Sequence, residues 1–152
     1  MIELTCCPST LQKGFSTYSP VALKELFNSQ KVNHILPYNG MDNNETEQKE
    51  FQDNNKHMSI SGAQQKYSLV VDNGQMRLSL EQEQATLLLK TKLSEYANKE
   101  ISPANEHLTM QIASQVYNIP TAANGLCFFQ NDEPAYITRR FDIAPVSYTH
   151  LR

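Results

Sequence analysis

The sequence predicts an α+β fold, a mainly antiparallel sheet with one principal helix laid against it, on three observations. Asp72-Asn73-Gly74 separates two short apolar-rich runs, and Asn-Gly supplies the positive φ values that a tight hairpin turn demands. Residues 102–118 carry apolar side chains at helical spacing between a start signal and a stop signal. Two further apolar runs bracket Asn131-Asp132-Glu133 as a second hairpin. The order strand, strand, strand, helix, strand, strand places hairpins on either side of one helix, which is the α+β pattern.

Taken along the chain, the first element is a short amphipathic helix. Ser19 is placed to cap it, Pro20 suits the first helical position, and Val21, Leu23, Leu26 and Phe27 supply its apolar side. Residues 1–38 thus read as a small N-terminal segment. Residues 39–57 turn to Asn, Gln, Glu, Asp and Lys, with Met41 and Phe51 the only large apolar side chains. Such a stretch has little surface to bury and reads as a solvated helix or a mobile connector.

The hairpin strands are expected over Lys66 to Val71 and Gln75 to Leu80. Leu87-Leu88-Leu89, ended by Lys90, is short and continuously apolar, as in a third strand buried on both faces. A helix beginning at Leu80 fits the period as well, and the strand is preferred. In the principal helix Ser102 is the expected cap, Pro103 takes the first helical position and Glu106 lies in the first turns; Ile119-Pro120 stops it. Leu108, Ile112 and Val116 recur every four residues, and Met110, Ala113 and Tyr117 widen this into a face expected to be packed. The last two strands are expected over Gly125 to Gln130 and Pro134 to Thr138, and no internal repeat is visible.

With 152 residues, 39% of them hydrophobic, a mean hydropathy of −0.52 and a net charge of −3, the chain suits one ordinary domain or a piece of a larger one. No run approaches the roughly 18 apolar residues of a membrane span, and Met1-Ile2-Glu3 lacks the basic start of a secretory signal, so a cytoplasmic location is expected. Thirteen Lys and Arg are scattered among 16 acids, which leaves no basic face for direct nucleic-acid binding. Cys6, Cys7 and Cys127 make an odd set without a CxxC pair and read as reduced thiols. His34, His57, His107 and His150 show no HxxxH or HExxH spacing; no metal site is expected, and each reads as a surface or capping residue.

Three places carry chemistry. Ser59-Ile60-Ser61-Gly62-Ala63-Gln64-Gln65-Lys66 sets small residues around a glycine, which lets backbone N–H groups approach an anionic oxygen. It matches neither GxxxxGK[ST] nor GxGxxG, and taken alone an ordinary turn into the first strand is the preferred reading. Lys90 ends an apolar strand and Glu106 starts the following helix, the ingredients of the pair in which a kinase strand Lys holds nucleotide phosphates and a helix Glu steadies it. A solvated strand-end Lys is the bland reading. Arg139-Arg140-Phe141-Asp142 follows the last strand, either as a surface charge pair beside a core Phe or as part of a ligand site.

Together these pieces resemble the HipA family of bacterial serine/threonine kinases, the toxin halves of toxin–antitoxin systems. The residues that carry the resemblance are Tyr18-Ser19-Pro20 with Leu23, the run from Met58 to Leu69, the strand ending at Lys90, Asn105-Glu106-His107-Leu108-Thr109-Met110, and Ile137-Thr138-Arg139-Arg140-Phe141-Asp142. The likeness runs from about residue 5 to residue 143 in the family's order, and implies a kinase N-lobe-like, nucleotide-covering unit over residues 58–143. It implies that Ser61, Gly62, Ala63 and Gln64 form a loop over the phosphates of ATP, that Lys90 contacts phosphate, and that the backbone of Arg139 to Phe141, with Asp142 nearby, is the hinge that binds adenine. Glu106 as the partner of Lys90 follows from general kinase logic.

Family members autophosphorylate a serine of this loop, which here implies Ser59 or Ser61. A phosphoserine adds nearly two negative charges beside the ATP phosphates and repels them. The Ser59-Ile60-Ser61 pattern resembles shorter members that meet a separate small N-subdomain-like protein as partner. An antitoxin partner and a protein substrate, among them aminoacyl-tRNA synthetases, belong to the same implication.

In the family an Asp-x-His-x-x-Asn loop of the C-terminal lobe orients the serine nucleophile and helps hold Mg²⁺. Five places after the five Asp of this chain stand Glu47, Met58, Arg77, Ile137 and Ser147, none of them Asn. The expectation is therefore an incomplete kinase domain: an N-terminal fragment that is inactive alone, with its Mg²⁺ ligands in the missing lobe. Residues 144–152, ending Val146-Ser147-Tyr148-Thr149-His150-Leu151-Arg152, resemble a translated adapter tail and are expected to be foreign to the native protein. The alternative function is a non-catalytic interaction module that binds an antitoxin-like partner.

Overall fold

The computed structural model describes residues 2–40, 44–56, 65–92 and 99–140. Three α-helices and five strands follow in the order α1 (Pro20–Phe27), α2 (Glu45–Lys56), β1 (Lys66–Asp72), β2 (Gln75–Leu78), β3 (Leu87–Lys90), α3 (Ser102–Gln111), β4 (Asn124–Phe128) and β5 (Pro134–Arg139). The five strands form one sheet in the order β2-β1-β3-β5-β4, every neighbouring pair antiparallel. The fold is α+β, as expected. Leu87-Leu88-Leu89 is a strand, and it becomes the central one because both its faces are apolar.

Local chemistry explains most element ends. Ser19 Oγ accepts from the Ala22 N–H at 3.2 Å and caps α1, whose last turn ends at Asn28 in the left-handed region. Asn73 and Gly74 take φ values of 51° and 78°, which turn β1 into β2. Asn44 Oδ1 accepts from the N–H groups of Thr46 and Glu47 at the start of α2.

Alternation sorts the sheet into two faces. Tyr67, Leu69, Leu87, Leu89, Ala135, Ile137 and Cys127 point to one of them and share a core with Cys7, Tyr18, Ala22, Leu26, Phe27, Val32, Leu36 and Phe51 from the first third of the chain. The N-terminal segment also covers the β4 edge: Pro8, His34 and Tyr38 accept from the N–H groups of Leu126, Phe128 and Gln130. Its loop is tied by the Cys7 sulfur, which accepts from the N–H groups of Ser9, Thr10 and Ser19 at 3.3–3.4 Å. Burial pushes the pKa of this thiol up, but the bonds from Thr10 and Ser19 outweigh it and hold the pKa below the ordinary value. All three cysteines are free thiols.

Several local expectations are overturned. The 39–57 stretch is not merely a polar connector, because Phe51 of α2 is only 2% exposed. Its ring meets those of Tyr38 and Tyr67 edge-on, with centroids 5.1 and 5.0 Å away. Ser102 does not cap α3: a 3₁₀ turn, Lys99–Ile101, precedes the helix, and Ser102 Oγ donates back to the Lys99 carbonyl at 2.8 Å. Nor is the Leu108–Ile112–Val116 stripe packed; with Tyr117 it is 42–69% exposed.

The face of α3 that meets the sheet is one residue out of step with that stripe, about 100° around the helix. It carries Pro103, Glu106, His107 and Gln111, because what awaits there is polar: the ammonium of Lys90, the Ser9 carbonyl and the Asn124 side chain. His107 is therefore a buried residue rather than a surface one. Beyond Gln111 the helix widens into a π turn, Ile112–Val116, where the Tyr117 N–H donates to the Ile112 carbonyl at 3.2 Å.

Candidate functional site

Lys90 is the last residue of the central strand, where the apolar run ends and α3 crosses the second face of the sheet. Its Nζ lies 2.6 Å from Glu106 Oε1, the side chains being 20% and 31% exposed. The ammonium also stands 5.6 Å from the centroid of the Tyr136 ring, within range of a cation–π contact. Burial first, and then the negative charge of Glu106, push the Tyr136 phenol up to about 12, so it stays protonated. A lysine held between a carboxylate and an aromatic face is fixed in direction and keeps two of its three N–H donors for a further acceptor.

β1 begins beside this pair. Lys66 is the cross-strand partner of Lys90, and Tyr136 flanks Lys90 on the other side, so the three share one rung of the second face. The start of β1 is clamped by the last turn of α2. Asn55 Nδ2 donates to the Lys66 carbonyl at 2.7 Å. Asn54 Nδ2 donates to the carbonyls of Ser68 and Ser79 at 3.1 and 3.0 Å, and its Oδ1 accepts the Ser68 N–H at 2.8 Å. The chain that leaves α2 and returns as β1 is thereby closed at its base by two consecutive asparagines.

Arg139 stands elsewhere. It lies three residues along β5 from Tyr136, hence on the other face, where its guanidinium donates to the Glu25 carbonyl and to Asn28 Oδ1 at the end of α1. The backbone N–H groups of Arg139 and Arg140 are engaged by the carbonyls of Ala123 and Thr86. In a hinge, this stretch would therefore offer its carbonyl oxygens rather than these two N–H groups. Ser59, Ser61, Gly62, Ala63, Gln64, Phe141 and Asp142 lie outside the described residues. Of the residues singled out from sequence, the structure thus brings Lys90 and Glu106 together and directs the Arg139 side chain away from them.

Sequence reasoning passed over Asn54 and Asn55 and read His107 as a surface or capping residue. The asparagines sit in a run of polar residues with no periodic signal, and nothing local marks two of them as buried or half-buried. Among the described residues no cluster of three or more His, Cys, Asp or Glu is arranged to hold a metal ion, and no helix is long and apolar enough to cross a membrane.

A strand Lys bonded to the Glu of a crossing helix is one arrangement by which protein kinases steady a phosphate-binding Lys. Residues 58–152 match the family model of the HipA-like C-terminal domain, and the chain belongs to that family. The family is one of toxin kinases. The matched range includes residues 144–152, which the sequence reading set apart as foreign. No curated protein matches the chain.

Proposed function

We propose that this chain supplies the nucleotide-covering part of a HipA-type serine/threonine protein kinase, the toxin of a type II toxin–antitoxin system. The observation that carries the reading is the 2.6 Å contact between Lys90 and Glu106 on the face of the sheet opposite the main core. Lys90 donates to the phosphates of ATP and Glu106 keeps it aimed at them. By the family resemblance, Ser61, Gly62, Ala63 and Gln64 would contribute to binding the phosphates, and the Arg139–Phe141 backbone, with Asp142, to binding the adenine.

In the intact enzyme a serine hydroxyl attacks the γ-phosphorus, the bond from that phosphorus to the β–γ bridging oxygen breaks, and ADP leaves with that oxygen. An Asp of the second lobe would accept the hydroxyl proton, and Mg²⁺ bound by residues of that lobe would supply charge compensation for the leaving phosphate. The protein substrate is of the aminoacyl-tRNA synthetase kind. Ser59 or Ser61 is the site of autophosphorylation, and the partners are an antitoxin and a small N-subdomain-like protein.

Titration of the chain with a non-hydrolysable ATP analogue tests the reading. Binding that Lys90→Ala weakens about tenfold or more, the worth of one charge-assisted hydrogen bond, is the expected result. A chain that binds no nucleotide overturns it. No turnover is expected from this polypeptide by itself, because it holds no Asp-x-His-x-x-Asn sequence.

The exposed stripe of Leu108, Ile112, Val116 and Tyr117 favours a second reading, an interaction module that docks a partner protein without nucleotide. Binding of a purified antitoxin-like protein together with no affinity for the ATP analogue would select it.

A further inference from the structure

The proposed function gives residues 1–38 no part in the nucleotide site, yet a loop of that segment holds the helix that bears Glu106. His107, the next residue of α3, is buried, and its Nε2 donates to the Ser9 carbonyl at 2.7 Å. Further along, Gln115 Nε2 donates to the Thr10 carbonyl at 2.8 Å. The loop that offers these carbonyls is itself fixed. Ser9 Oγ donates to the Asn124 carbonyl at 2.6 Å, and the Pro8 carbonyl accepts from the Leu126 N–H. The Cys7 sulfur gathers the N–H groups of Ser9, Thr10 and Ser19.

Apolar packing contributes little to the seat of this helix. Within α3 only Pro103 and His107 are buried, while Leu108 faces water. Hydrogen bonds therefore set its position, and they demand a definite length and direction. Glu106 and His107 are consecutive, about 1.5 Å apart along the helix axis, so a displacement of one carries the other. A shift of about 1 Å would stretch the 2.6 Å contact between Glu106 and Lys90 past hydrogen-bond length. We infer that His107, seated on the loop Cys7–Thr10, is a positioning residue for the Lys90–Glu106 pair, and that the N-terminal segment thereby sets how firmly the chain holds a nucleotide. The inference rests on the nucleotide reading, in which Lys90 meets phosphate.

The test is titration calorimetry on the full chain with a non-hydrolysable ATP analogue, with a melting curve for each variant. His107→Leu should weaken the analogue about threefold or more, and His107→Gln, which keeps a donor for Ser9, about twofold or less. In a Glu106→Gln background the further change His107→Leu should leave the affinity where it is, because its effect passes through Glu106. A purely structural histidine would lower the melting temperature without this dependence on Glu106. Should the leucine variant not fold, Ser9→Ala, which releases the loop from Asn124, carries the same comparison. If His107→Leu binds the analogue as wild type does, or weakens it equally in both backgrounds, the inference is overturned; a loss on Lys90→Ala would then still uphold the nucleotide reading. Wild type that binds no nucleotide overturns both.

Discussion

The ring nitrogen Nε2 of His107 lies 2.7 Å from the carbonyl oxygen of Ser9, 98 residues earlier in the chain. A carbonyl only accepts, so Nε2 carries a proton, and burial lowers the pKa of the imidazole from 6.5 despite the opposing effect of that bond. The contact ties the helix bearing Glu106 to the N-terminal loop.

A group whose folded pKa is depressed binds fewer protons folded than unfolded, and for a histidine the stability it shapes is intact above pH 6.5 and lost below it. His34, lowered by burial as well, acts in the same direction. Melting temperature should therefore fall as pH drops from about 6.5, and His107→Gln, which keeps a donor for Ser9, should remove part of that slope. An unchanged slope in the variant would show that His107 is not responsible.

The Lys90–Glu106 pair is partly exposed, so screening discounts its contribution to stability. A double-mutant cycle of Lys90→Met and Glu106→Gln, read by denaturant unfolding, should give a coupling of about 1 kcal/mol or less. A much larger value would mean that the pair is chiefly structural.

Asn54 is buried and bonded through both ends of its amide. Asn54→Ala leaves the Ser68 N–H without its partner and strips the amide from two carbonyls, which should destabilise by about 2–3 kcal/mol. Asn54→Asp should fail similarly, since a carboxylate accepts from Ser68 but cannot donate to Ser68 and Ser79. Unfolding midpoints of both variants close to wild type would mean that the clamp contributes nothing to stability.

Gly125 lets the N-terminal loop lie directly on β4. A Cβ there would sit 3.0 Å from the Ser9 Cβ and 3.2 Å from the Pro8 carbonyl oxygen. Gly125→Ala should destabilise by about 1–3 kcal/mol and expose the loop to protease. Unchanged stability and digestion would show that the loop gives way freely.

The outward stripe of α3 makes an opposite prediction. Ile112→Lys and Val116→Lys should change stability by no more than about 0.5 kcal/mol, because both side chains already face water. A large loss on thermal unfolding would place them in a core.

The chain order of strands, the Asn-Gly hairpin, the Ser19 cap and the strand nature of Leu87-Leu88-Leu89 were legible because each is set by residues within a few positions of one another. Those residues choose φ, cap a helix end or bury a short run on both faces, and no distant partner can easily reverse such choices. Lys90 and Glu106 were legible as a strand-end cation and a helix-start carboxylate.

Which face of α3 turns inward was decided by the tertiary structure. Periodicity assumes that a helix meets an apolar surface, whereas this one meets an ammonium, a backbone carbonyl and an amide, and polar groups leaving water must find partners. The same reason buries Asn54 in a segment whose composition reads as solvent. The rung that joins Lys66 to Lys90 is a matter of register, which strand pairing settles across 24 residues of chain and no local signal encodes.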